Sequence, residues 1–214
     1  MKKKSVPKNS EPLIVGLRDE TGLVSKTDIR FALLLAIIAF LLYANTIGHS
    51  YVLDDAGVIT GNEYVQQGFK GIGKIFSTEM WHFQNIYLSY YRPLSLVTFV
   101  IENQFSPNNP HVSHFGNVFL YALTAFFLYL LLIRIFRKQH PFISFFIVLL
   151  FVAHPIHTEV VANIKSRDEI LSFLNLIVAA YTMLLGYRSE KTNYKWLFVS
   201  SVFFYLALLS KESA

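Results

Sequence analysis

The chain has no cysteine among its 214 residues, which excludes disulfides, thiolate metal sites and a cysteine nucleophile. It is also short of charge. Asp, Glu, Lys and Arg make up 15% of the sequence, where a soluble domain carries about 25%, so there are too few polar residues to cover a water-facing surface. No internal repeat of solenoid or propeller length is present. The net charge is +5, but the basic residues are spread along the chain without a patch or a recognition motif, so nucleic-acid binding is not expected.

What the chain does have is apolar and aromatic. Hydrophobic residues supply 53% and aromatic residues 16%, with 20 Phe, and the mean hydropathy is +0.41. Several apolar runs approach the roughly 20 residues that cross a bilayer core. The fold class read from this is all-α: a polytopic membrane helical bundle of about five spans. Residues 1–28 form a basic, polar tail; the apolar run behind them starts too late and is too long for a signal peptide. Spans are expected at 29–47, 115–133, 142–156, 170–187 and 196–209. An outer loop over 48–114 is too polar to span as a whole and too aromatic to be disordered. Within it, Leu94, Leu96, Val97, Val100 and Ile101 have the spacing of an amphipathic helix lying at the interface.

Alternating the spans with the N-terminus inside puts Lys26, Arg30, Arg134, Arg137, Lys138, Arg188, Lys191 and Lys195 on the cytoplasmic side with the basic tail. The outer pieces carry about half as many Lys and Arg, as the positive-inside rule requires. Most acids and all histidines but His140 then face outward. Any chemistry faces away from the cytoplasm.

Five groups of residues on that side suit chemistry. Asp54 and Asp55 lie just beyond the first span, where partial desolvation raises a carboxylate toward the range of a general base; a solvated turn accounts for them equally. His154, His157 and Glu159 lie within six residues at the end of an apolar run, and such groups near hydrocarbon need partners or a water-filled cavity. They permit a divalent cation without requiring one, since their spacing fixes no third ligand; a belt of polar residues at headgroup level is the plainer reading. Arg167, with Asp168 and Glu169, opens the fourth span; the acids suit a helix start, and an outward Arg is built to grip phosphate. Arg92 sits in Tyr-Arg-Pro-Leu, and Lys211 and Glu212 follow the fifth span.

In this order, Asp54-Asp55, Tyr91-Arg92-Pro93-Leu94, His154-Pro155-Ile156-His157-Thr158-Glu159, Arg167-Asp168 and Ser210-Lys211-Glu212 resemble the membrane half of the transmembrane-and-TPR O-mannosyltransferases that act on cadherins, and their bacterial relatives. Those belong to the GT-C glycosyltransferases. The resemblance covers residues 29–214 and implies transfer of a sugar, such as mannose, from a polyprenyl-phosphate donor to a protein or glycan hydroxyl on the extracytoplasmic face. It implies Asp54 or Asp55 as base. For the donor phosphate and substrate it implies Arg92, His154, His157, Glu159, Arg167, Asp168, Lys211 and Glu212. No cofactor is required. The membrane is the bacterial inner membrane, or the endoplasmic reticulum membrane in a eukaryote. The family's membrane half has about twice as many spans, so the chain reads as an N-terminal fragment.

Two other classes compete. A transporter or flippase would hold its polar residues near the bilayer midplane, whereas here they sit at the outer ends. A non-catalytic scaffold would treat the acids and histidines as ordinary loop residues.

Overall fold

The computed structural model describes residues 24–52, 54–81, 90–136, 141–187 and 192–214. The basic tail up to residue 23, His140 and part of the basic hairpin after the fourth span lie outside them. Among the described residues there is no strand; every regular element is helical.

Helix α1 (Lys26–Tyr43) starts at a capping box: the Asp28 amide donates to Ser25 Oγ at 3.1 Å and the Ser25 amide to Asp28 Oδ2 at 2.8 Å. Ala32, Leu35, Ala39 and Tyr43 are buried in one stripe, while Leu33, Ile37 and Leu41 point away from the protein, as expected of a helix with one face on a neighbour and one in lipid. Among the described residues five short helical segments follow, including α2 (Glu63–Gln66) and α3 (Ile72–Ile75), and then α4 (Pro93–Phe105). Helix α5 (Pro110–Ile135) is the central post. It is followed by α6 (Pro141–Ala153), α7 (His157–Ala162), α8 (Arg167–Gly186) and α9 (Tyr194–Ser210).

Contacts fix the directions. Phe31 meets Tyr129, Phe40 meets Phe115, and His111 Nδ1 lies 2.7 Å from the Ile47 carbonyl oxygen, so α1 and α5 are antiparallel. Phe31 also meets Phe145 at the start of α6, and Tyr121 donates to the Val152 carbonyl at its end, so α6 runs against α5. Asn117 reaches residues 161–164 while Arg134 stacks on Tyr181, so α8 runs parallel to α5 and opposite to α6. Ser200 donates to the Ala179 carbonyl and Lys211 pairs with Glu169, which turns α9 back along α8. A Cβ on Gly186 would come within 2.6 Å of Leu197, so glycine lets the α8–α9 corner close.

Five helices therefore alternate in direction, and one end of the bundle collects residues 49–52, 54–81, 90–110, 154–168 and 211–214. The main core joins α1, α5 and α6 through residues such as Leu35, Val118, Ala125, Tyr129 and Val152. A second core of Val58, Ile59, Val65, Ile75, Phe99, Val100 and Ile164 caps that collecting end.

Among the described residues three stretches are long and apolar enough to cross a membrane: Lys26–Gly48, Pro110–Ile135 and Ile164–Gly186. Helices α6 and α9, with 13 and 17 residues, are apolar but shorter. The expected third span, to residue 156, stops at Ala153 because the residue before Pro155 is pushed out of helical conformation. The second span begins at Pro110 rather than 115, since Asn109 accepts the His111 amide at 3.1 Å and Pro110 occupies the first turn. Polar residues 111–114 had hidden that first turn. Helix α4 matches the expected amphipathic segment, with Leu96, Phe99 and Val100 inward and Phe105 79% exposed.

Candidate active site

The two adjacent aspartates face opposite environments. Asp54 is exposed, whereas Asp55 is fully buried. Asp55 Oδ1 accepts from the Lys165 amide at 2.7 Å and Oδ2 from the Val52 amide at 3.1 Å. Burial pushes the Asp55 carboxyl above its ordinary value, and the two amide bonds oppose that rise. Asp55 thus fastens the loop before the helical turn at Ala56–Thr60 to the corner that precedes α8, and that anchoring presents Asp54 to solvent.

Arg92 lies between two carboxylates. Its Nη1 meets Asp168 Oδ2 at 2.6 Å, while Nε and Nη2 grip Glu212 Oε2 and Oε1 at 2.9 and 2.7 Å. Its guanidinium also lies 4.7 Å from the Tyr90 ring centroid. The Glu212 pair holds the Arg92 proton more firmly than usual and pulls the Glu212 carboxyl below its ordinary value.

Arg167 is 1% exposed. Its Nε donates to Asn117 Oδ1 at 2.7 Å, Nη1 to Glu102 Oε1 at 2.6 Å and Thr98 Oγ1 at 3.1 Å, and Nη2 to the Ser113 carbonyl at 2.7 Å. It also lies 4.3 Å over the Phe99 ring centroid. The guanidinium therefore ties α4, α5 and α8 together, with every nitrogen engaged by protein, as a buried cation must be. Ser113 Oγ donates to the second Glu102 oxygen at 2.8 Å.

Next to these clusters is a cleft of about 310 Å³, lined by Tyr121 and Thr124 of α5, Phe151 of α6, His157 and Val160 of α7, and Glu169, Ile170 and Phe173 of α8. It is largely apolar, with one histidine and one glutamate in its lining. The His157 ring is 4.3 Å from the Phe151 ring and 5.6 Å from Tyr121; burial lowers its pKa, and His154 adds to this, so the imidazole is biased toward the neutral form. Glu169 is paired with Lys211. His154 and Glu159 are exposed on either side of His157. Among the described residues no group of three or more His, Asp or Glu is arranged to hold a metal ion.

The fold therefore gathers Asp54, Asp55, Arg92, Arg167, Asp168, Lys211 and Glu212 at one end, with His157 in the adjoining cleft. Sequence reading missed Lys165, Glu102, Ser113 and Asn117, and left Glu169 as a helix-start residue. A carboxylate within the apolar face pattern of α4 and the polar run at 113, 114 and 117 were the available signals.

Comparison with known proteins points the same way. The chain is 32% identical over 152 residues to human protein O-mannosyl-transferase TMTC1, covering 69% of this chain and 17% of that one. It is 31% identical over 192 residues to a Caenorhabditis elegans protein O-mannosyl-transferase, covering 86% of this chain and 26% of that one. This chain is a homologue of the TMTC protein O-mannosyl-transferases. Drosophila melanogaster Tmtc1 is 26% identical over 182 residues, with 83% of this chain and 20% of that one aligned, so the chain spans about a quarter or less of the length of these TMTC relatives. No family model and no solved structure matches it.

Proposed function

We propose that this chain forms the catalytic end of a GT-C type glycosyltransferase. It transfers a sugar, mannose by analogy with its relatives' names, from a polyprenyl-phosphate donor to a hydroxyl on a protein or glycan acceptor. The observation that carries this reading is the split of the aspartate pair: Asp55 is consumed in anchoring to the Lys165 and Val52 amides, and Asp54 is left exposed at the end of the bundle that also holds Arg92 and Lys165.

In this reading Asp54 takes the proton from the acceptor hydroxyl as its oxygen attacks the anomeric carbon. The new carbon–oxygen bond forms as the bond from that carbon to the phosphate oxygen breaks. The electron pair leaves with the polyprenyl phosphate, and the anomeric centre inverts. The charge that grows on the phosphate is met by cations already in place, Arg92 first and Lys165 and Lys211 beside it. Arg167 acts as a positioning residue, because it sets the packing of α4 against α8. The cleft, with His157 and Glu169 among its lining, accommodates the isoprenoid chain next to the phosphate.

The reading places all five long helices across the membrane, the two shorter ones where the bilayer is locally thinned. The N-terminus is cytoplasmic and the site extracytoplasmic. Lys26, Arg30 and Arg134 lie at the end opposite Asp54, consistent with that orientation.

The test is transfer from radiolabelled polyprenyl-phosphate sugars in membranes carrying the full-length protein. Asp54→Asn is expected to abolish product while leaving the fold intact. Full transfer by Asp54→Asn overturns the base assignment, and absence of transfer from every such donor by folded wild-type protein overturns the glycosyltransferase reading.

A further inference from the structure

Arg92 is held from two sides that are not alike. On one side Asp168 is 1% exposed and takes Nη1; on the other Glu212 is 43% exposed and takes the Nε and Nη2 edge with both oxygens. Asp168 is fixed within α8, where its second oxygen accepts the Glu169 amide at 2.8 Å. Glu212 instead lies on the short turn after α9.

The Nε–Nη2 edge of an arginine is the edge that grips two oxygens of a phosphate as readily as those of a carboxylate. We infer that this edge is the seat of the donor's phosphodiester, and that Glu212 is an internal occupant which the phosphodiester displaces. The inference rests on the glycosyl-transfer reading above. Exchange of one carboxylate for one phosphodiester swaps a single negative charge for another, so Arg92 is never left unpaired. A second cation flanks the seat: Lys165 Nζ is 4.0 Å from the same Asp168 oxygen that Arg92 holds, and its side chain is 22% exposed.

Displacement also reaches the cleft. Lys211 precedes Glu212 and pairs with Glu169, which lines the cleft. Moving Glu212 off Arg92 shifts the residue that holds Glu169, so filling of the phosphate seat and opening of the cleft rim are one event. An occupant that must be displaced lowers apparent affinity by the fraction of time the seat is empty.

The experiment is equilibrium binding of radiolabelled farnesyl phosphate, a short analogue of the polyprenyl phosphate that leaves from the same seat, to the full-length protein in nanodiscs, with farnesol as the phosphate-free control. Glu212→Gln is expected to tighten farnesyl phosphate binding by roughly threefold to tenfold, the scale of a charge-assisted pair, and to leave farnesol binding unchanged. Arg92→Lys, which keeps charge but loses the two-pronged edge, is expected to weaken farnesyl phosphate alone. If Glu212→Gln unfolds, Glu212→Asp is one methylene too short to cover the edge and is expected to tighten binding by a smaller factor. Wild-type binding with no tightening in folded Glu212 variants overturns the displacement and leaves the transfer reading standing; so does equal tightening toward farnesol. Absence of farnesyl phosphate binding by folded wild-type protein overturns both.

Discussion

Asp55 accepts a hydrogen bond from the backbone amide of Lys165 at 2.7 Å, across 110 residues of chain. Its neighbour Asp54 stays exposed, so a pair of identical residues divides into an anchor and a reagent. Asparagine at 55 keeps one acceptor and turns an amino group toward the other amide. Asp55→Asn is expected to cost about 1–3 kcal/mol for the buried amide it strands, while Asp54→Asn leaves the melting temperature unchanged. Thermal unfolding of both variants in detergent, beside the transfer assay, separates the two roles.

Buried Arg167 and half-buried Glu102 pair at 2.6 Å. Removing one partner leaves the other charge stranded, so Arg167→Met is expected to destabilise by about 3–5 kcal/mol. The double variant Arg167→Met with Glu102→Leu is expected to recover part of that loss. A thermal double-mutant cycle measures the coupling.

Gly116 lies against this pair. A Cβ built there would stand 2.5 Å from Glu102 Oε1 and 2.9 Å from Arg167 Nη2. Gly116→Ala is therefore expected to lower stability by about 1–3 kcal/mol through overpacking, although alanine is the better helix former. A rise in melting temperature would show that the pair has room to move.

Val160 and Phe173 line the 310 Å³ cleft. Val160→Trp fills much of it and is expected to raise the donor KM at least tenfold with a smaller change in kcat. Steady-state kinetics with donors of different isoprenoid length test this, because the penalty is expected to grow with chain length.

Arg92 holds the Glu212 carboxyl below its ordinary value near 4.5. A carboxyl lowered on folding contributes stability above its unfolded pKa and loses it as pH falls through the folded one. Wild-type protein is thus expected to lose stability below about pH 4.5 more steeply than Glu212→Gln. Melting temperatures across pH 3–7 show whether the acid limb flattens in the variant.

Much of the scaffold was legible in sequence. The apolar runs located all five long helices, and the spacing of Leu96, Val97, Val100 and Ile101 located α4. Helix boundaries were less legible, because the start of α5 depends on Asn109 and Pro110 rather than on hydrophobicity. The gathering of Asp54, Arg92, Arg167 and Lys211 at one end followed from alternating spans. Their partners did not. That Arg92 meets Glu212 across 120 residues, or that Arg167 is enclosed by α4 and α5, depends on packing that no local pattern encodes. Asp54 and Asp55 are chemically identical in sequence, and it is burial against the Lys165 and Val52 amides that distinguishes them.

The two buried arginines also impose an order of assembly. The partners of Arg167, namely Thr98, Glu102, Ser113 and Asn117, all precede it in the chain. When α8 leaves the ribosome, a polar berth for its first residue already exists. Arg92 is in the opposite position: Asp168 and Glu212 are made 76 and 120 residues later, so it waits, solvated, while α5, α6, α8 and α9 are made. Biogenesis thus settles the α4–α5–α8 joint early and completes the Arg92 cluster last, when the residues after α9 arrive.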